Sequence, residues 1–261
     1  MNASRNDRET PERLRRRELL RRSPVYLVTE EAFSAGRTSQ EIAEACLRAG
    51  VRVIQVREKE AGTRRAFEIA LDMRALTSRY GALLIVNDRV DIAMACGADG
   101  VHLGQLDLPL ESARRLMGPD ALIGLSITDV AQLAAPDVQA ADYLGVGAVF
   151  PTGTKADAAL PGLALLGQAR AATPAPIVAI GGIRPENAAL PIVAGADSLA
   201  VITAITEARD PEEAVRELVA SAEAARASTS DPGPLAGGAT SGGATSGGAT
   251  SGGATSGGAV I

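Results

Sequence analysis

The chain has 261 residues, 46% of them hydrophobic but only 2% aromatic and with no Trp, so its core must be built from Ala, Val, Ile and Leu. A formal net charge of −5 gives no general reason to expect a nucleic-acid partner. No apolar run is long enough to span a bilayer and no signal peptide is recognisable. Cys46 and Cys96 sit in apolar helical contexts, which predicts buried free thiols in a reducing cytoplasm.

Residues 1–22 open with the Arg-rich run RLRRRELLRR. Interspersed Asp7, Glu9, Glu12 and Glu18 argue against a transit peptide, so this leader is expected to be frayed or helical with a solvated charged face. Strand-like apolar segments then follow in a regular rhythm: VYLVT (25–29), VIQVR (53–57), LLIVN (83–87), GVHLG (100–104), LIGLS (122–126), YLGVG (143–147), IVAIG (177–181) and SLAVI (198–202). Helix-like segments separate them, among them 39–49, 63–80, 109–117, 185–194 and 211–226. Thr38-Ser39 supplies a capping signal for the first of these, and Asp210-Pro211 opens the last with two glutamates in its first turn. Continuous apolar strands alternating with helices indicate parallel βα units. Eight such units predict an α/β fold, a (β/α)8 TIM barrel forming one domain over residues 23–227. An open doubly wound sheet is the alternative, but the even spacing and the lack of an early Gly-rich dinucleotide turn favour the barrel. From Gly237 to Ser256 the sequence repeats GGATS, which cannot form a core, so residues 228–261 are expected to be a disordered tail.

In such a barrel the active site lies at the C-terminal ends of the strands. The second strand ends in Gln55, Arg57 and Lys59, polar at every second position, so alternation aims all three along one face. The third ends in Asn87-Asp88, and Asp107 follows the fourth. Ser126 ends the fifth, and the sixth runs into PTGTKAD with Thr152, Thr154 and Lys155. The seventh ends in Gly181-Gly182 and the eighth in Ile202-Thr203. Lys59 and Lys155 are the only lysines in a chain whose other cations are all Arg, which marks both positions. Two hard carboxylates, Asp88 and Asp107, suit Mg²⁺ held jointly with substrate phosphates. Arg57, Lys59 and Lys155 suit a diphosphate, and the TGT segment with the Gly pair offers hydroxyls and N–H groups to a second phosphate. Each feature has a plainer reading: an Asp after a strand is often a turn residue or cap, the Gly pair can serve a tight turn, and Ser126 can cap the next segment. Glu58 lies out of phase with Gln55 and is expected to face the helices or solvent. His102, the single histidine, is expected to be a satisfied structural residue within its strand.

Taken as a set, QVREKE, NDRVDIAMACGADGVHLGQLDLP, GLS, DYLGVGAVFPTGTKADA, AIGGI and GADSLAVITAI closely resemble the thiamine phosphate synthase family over residues 24–226. The resemblance implies a cytoplasmic Mg²⁺-dependent transferase of thiamine biosynthesis. It would join a hydroxymethylpyrimidine diphosphate to a thiazole phosphate and release diphosphate. By position, Gln55, Val56, Arg57, Glu58, Lys59, Asn87, Ser126 and Lys155 would bind the pyrimidine diphosphate, with Arg57, Lys59 and Lys155 stabilising the leaving group. Thr152, Gly153, Thr154, Gly182, Ile202 and Thr203 would bind the thiazole phosphate, and Asp88 and Asp107 the metal. The implied partners are these small molecules, with no nucleic acid and no membrane; a homo-oligomer is compatible with the reading. One departure stands out. The family often reads Ser-x-His after the fifth strand, whereas here Thr128 takes the His position. The alternatives are a thiazole tautomerase of the same fold, whose proton transfer relies on a histidine in that neighbourhood, and a non-catalytic phosphate-binding barrel.

Overall fold

The computed structural model describes residues 9–152 and 162–230. An N-terminal helix α1 (Pro11–Arg22) leads into β1 (Val25–Thr29) and α2 (Ser39–Arg48). The order continues β2 (Val53–Val56), α3 (Thr63–Arg79), β3 (Leu83–Asn87), α4 (Val90–Cys96), β4 (Gly100–Leu103) and α5 (Leu110–Met117). Then come β5 (Leu122–Ile127), the short α6 (Asp137–Ala140), β6 (Tyr143–Gly147), α7 (Ala164–Ala172), β7 (Ile177–Ile180) and α8 (Ala189–Val193). Finally β8 (Ser198–Val201) precedes α9 (Thr203–Thr206) and α10 (Pro211–Ser230). The eight strands pair in parallel in sequence order and β8 closes on β1, so the sheet is a closed barrel as expected. Among the described residues no helix is long and apolar enough to cross a membrane.

Local chemistry sets the helix ends. Thr10 accepts from the Arg13 N–H at 3.1 Å with Pro11 next to it, and Thr38 forms a reciprocal capping box with Glu41. Asp210 accepts from the Glu212 and Glu213 N–H groups at the start of α10. That helix runs to Ser230, past the expected boundary at 228, because Ala-rich sequence continues it and the Ser228 and Thr229 hydroxyls bond back to the Ala225 carbonyl. The repeats beyond lie outside the described residues. The helix expected over 185–194 is confined to Ala189–Val193, because Asn187 ties the preceding residues into a turn.

Two apolar cores follow from strand alternation. Outward residues such as Leu27, Ile54, Leu84, Val101 and Leu144 pack under the helices, and inward ones such as Val28, Val53, Ile85, Leu122 and Val178 fill the barrel. Leu20 of α1 belongs to the inner core, so α1 lies across the N-terminal end of the barrel as its floor. The Arg-rich segment is helical and keeps the expected solvated charged face at Arg15, Glu18 and Arg22, but its other face is held against the barrel. Three aspartates that each precede an even-numbered strand hold it. Asp142 accepts from Arg13 and Arg114, both at 2.5 Å, and from the Ile123 N–H at 2.7 Å. Asp99 pairs with Arg16 at 3.2 Å and Arg74 at 2.6 Å, and accepts from the Leu84 N–H. Asp197 pairs with Arg21 at 3.3 Å and with Arg170, and accepts from the Ile177 N–H. Each aspartate thus joins α1, an outer helix and the preceding strand.

Candidate active site

The opposite end of the barrel opens into a cavity of about 180 Å³. Gln55, on the inner face of β2, is buried there and donates through Nε2 to the Tyr26 hydroxyl at 2.8 Å. Arg57 lines the same cavity and is only 8% exposed. It pairs with Glu30, a buried carboxylate just beyond β1, and burial lowers its pKa against the pull of Asp88 and Glu58. Lys59 stands farther out at the rim, half-exposed, with Nζ 3.8 Å from the Asp88 carboxylate. Asn87, Ser126, Thr152, Gly182, Ile202 and Thr203 also line the cavity, so one mouth gathers residues that follow or end β3, β5, β6, β7 and β8.

Two members of the expected set face elsewhere. Val56 is buried under the helices, outside the barrel interior. Glu58, as its phase suggested, spends its carboxylate on the β1–α2 junction: Oε1 accepts from Thr29 Oγ1 at 3.0 Å and Ser39 Oγ at 2.6 Å, and Oε2 from the Glu31 N–H at 2.9 Å. Gly153, Thr154 and Lys155 lie outside the described residues.

Asp88 and Asp107 come together beside Lys59. Burial, and then Asp107 as hydrogen-bond partner and like charge, pushes the Asp88 carboxyl up to about 6. The Asp88 N–H donates to the His102 carbonyl at 2.8 Å, and Asp107 Oδ2 accepts from the Gly104 N–H at 2.6 Å. The Asp88 backbone is thus tied to β4, and the Asp107 carboxylate to the turn that follows it.

A polar relay crosses the barrel beneath this rim. The Tyr26 and Tyr143 hydroxyls lie 3.0 Å apart, His102 Nδ1 is 3.1 Å from Tyr143 Oη, and His102 Nε2 is 2.9 Å from Ser126 Oγ. Burial raises the pKa of both phenols, so they stay protonated and serve as hydrogen-bonding groups. His102 is satisfied, as expected, yet it also lines the cavity. Sequence reasoning passed over Tyr26, Glu30 and Tyr143. The available signal was scarcity: the chain has three tyrosines, and two sit inside strands at inward positions. The rings fit because glycines face them. A Cβ on Gly124 would collide with the Tyr143 ring, and one on Gly145 would come within 2.7 Å of His102. Thr128 lines the cavity too, with its N–H held by Gln132 Oε1 at 2.7 Å.

The arrangement offers cations and paired carboxylates at the rim, neutral polar groups below them, and hydroxyl and glycine positions on the β6–β8 side. Comparisons with known proteins agree with that chemistry. A family model described as thiamine monophosphate synthase matches residues 25–205. The thiamine-phosphate synthase of Haloquadratum walsbyi is 46% identical over 211 residues, covering 80% of this chain and 95% of that protein. The thiamine-phosphate synthase of Archaeoglobus fulgidus is 49% identical over 196 residues, covering 75% and 91%. Among solved structures, thiamine phosphate pyrophosphorylase from Pyrococcus furiosus superposes with a TM-score of 0.72 at 38% identity, covering 79% of this chain and 98% of that one. By the family match over most of its barrel and by these relatives, the chain belongs to the thiamine monophosphate synthase family.

Proposed function

We propose that this protein is a thiamine phosphate synthase, a transferase that alkylates a thiazole phosphate with a hydroxymethylpyrimidine diphosphate and releases diphosphate. One observation carries the reading. Polar ends of five strands and the Arg57 guanidinium share a single cavity, and the Asp88–Asp107 pair, which does not line it, stands at the same end of the barrel next to the cavity residue Asn87. The ring pocket is neutral and hydrogen-bonding, which suits an uncharged aminopyrimidine. Gln55, Asn87 and Ser126 orient that ring, and the Tyr26–Tyr143–His102 relay fixes Gln55 and Ser126 in turn.

The bond from the pyrimidine methylene carbon to the diphosphate oxygen breaks, and its electron pair leaves with the diphosphate. The electron-rich ring carries the positive charge left on that carbon until the thiazole nitrogen attacks it. No protein nucleophile is required. Arg57, Lys59 and Lys155 counter the charge that builds on the departing group. Glu30 holds the Arg57 guanidinium at the cavity wall before substrate arrives. Thr152, Gly153, Thr154, Gly182, Ile202 and Thr203 take the thiazole phosphate.

Asp88 and Asp107 fit a shared Mg²⁺. Burial and like charge make it costly to ionise both carboxylates without a cation, and no group of three His, Cys, Asp or Glu is present among the described residues. Asp88 and Asp107 would hold such an ion jointly with substrate phosphates. When bound, it neutralises diphosphate charge. A thiazole tautomerase is disfavoured by Thr128 at the expected histidine position and by the commitment of His102 to Tyr143 and Ser126. The test is an assay of the purified protein with both substrates and Mg²⁺. Equimolar thiamine phosphate and diphosphate are expected, and the absence of both products from authentic substrates would end this reading.

A further inference from the structure

On the β6–β8 side the polar groups of the cavity wall, Arg184 apart, are uncharged among the described residues. Thr152, Gly182 and Thr203 supply hydroxyls and N–H groups there, but a phosphate dianion also calls for positive charge. Two described cations line the cavity, Arg57 and Arg184. Arg57 is engaged by Glu30. Arg184 is exposed, and its guanidinium meets no carboxylate or hydrogen-bond acceptor among the described residues. Its backbone is nonetheless held in place. Asn187 Oδ1 accepts from the Arg184 N–H at 2.8 Å, and Asn187 Nδ2 donates to the Gly182 carbonyl at 3.0 Å. Gly182 has φ 65, and a Cβ there would come within 2.5 Å of the Pro151 carbonyl, so the turn is pressed against the segment leading to Thr152. A fixed turn carrying an exposed cation at the cavity wall is the geometry of an anion clamp rather than of a structural ion pair.

We propose that Arg184 is a further substrate-binding residue, closing over the phosphate of the thiazole substrate from the β7 side. The inference rests on the synthase reading for the identity of that substrate. It is separable from it, because it concerns binding of the phosphate and not turnover. A planar guanidinium can grip two phosphate oxygens where Lys presents a single point of charge.

The experiment compares the full chain with Arg184→Gln and Arg184→Lys. Calorimetric titration with 4-methyl-5-(2-hydroxyethyl)thiazole phosphate is expected to show binding about tenfold weaker for Arg184→Gln, with Arg184→Lys between it and the parent. The unphosphorylated thiazole alcohol is expected to bind parent and variants alike. In steady state the same variant raises KM for the thiazole phosphate, leaves KM for the pyrimidine diphosphate unchanged and keeps kcat within about twofold. Equal affinity of parent and Arg184→Gln for the thiazole phosphate would overturn the proposal, as would an equal loss with the alcohol. Phosphate-selective weakening in a protein that forms no thiamine phosphate would uphold Arg184 while removing the synthase reading.

Discussion

Asp88 occupies a left-handed backbone position, φ 61, which costs a residue other than glycine about 1–3 kcal/mol. Asp and Asn tolerate that region better than most residues. The strain brings a carboxylate to the rim beside Asp107 instead of letting the chain continue out of β3. Asn is therefore the informative substitution, since it preserves shape and backbone preference while removing charge. Asp88→Asn and Asp107→Asn are each expected to raise the Mg²⁺ concentration for half-maximal activity on the order of tenfold or more. Metal titrations of activity check this, and unchanged midpoints in both variants would remove the metal assignment. Glu58 teaches the opposite lesson. It sits between two residues of the site, yet three hydrogen-bond donors already occupy its carboxylate. Neighbours in sequence point to different jobs once a strand ends.

Among the elements, α1 makes the largest difference between reading and structure. Asp142 is fully buried, and its carboxylate gathers Arg13, Arg114 and the Ile123 N–H. Asp142→Ala would leave two largely buried guanidinium groups without their carboxylate, so a loss of about 3–5 kcal/mol is expected in urea denaturation. Arg15→Ala, on the exposed side of the same helix, is expected to leave the midpoint unchanged. Equal midpoints for the Asp142 variant and the parent would mean that this aspartate does not help to hold α1. The strands were legible because parallel strands buried on both faces read as continuous apolar runs; VYLVT, LLIVN and YLGVG match β1, β3 and β6 end to end. Cavity residues such as Asn87 and Ser126 were legible because the barrel rule says which strand end to inspect. The role of α1 was not, because an arginine run looks the same whether water or aspartate receives it. The Tyr26–Tyr143–His102 relay was hidden too, since its members meet across strands far apart in the chain.

At the scale of the whole molecule, the barrel separates a mouth that holds the chemistry from a floor that holds the structure. The layer between strands and helices is sealed as well. Cys46 and Cys96 are both free and buried in it, and burial pushes the Cys46 thiol up to about 12. Neither is expected to react with a disulfide reagent at pH 8 in the native protein, whereas both react once guanidinium unfolds it. Rapid labelling of the native protein would show that this layer opens far more readily than its packing implies. The floor has a consequence for the order of assembly. Arg21 reaches across 176 residues to Asp197, which lies at the start of the last strand. On the ribosome, α1 emerges before the strands, but this anchor does not exist until nearly the whole barrel has been synthesised. Its Arg16 and Arg13 anchors appear earlier, with Asp99 and then Asp142. Helix α1 is thus fastened in three instalments, and the floor is complete only when the last strand arrives to close the ring.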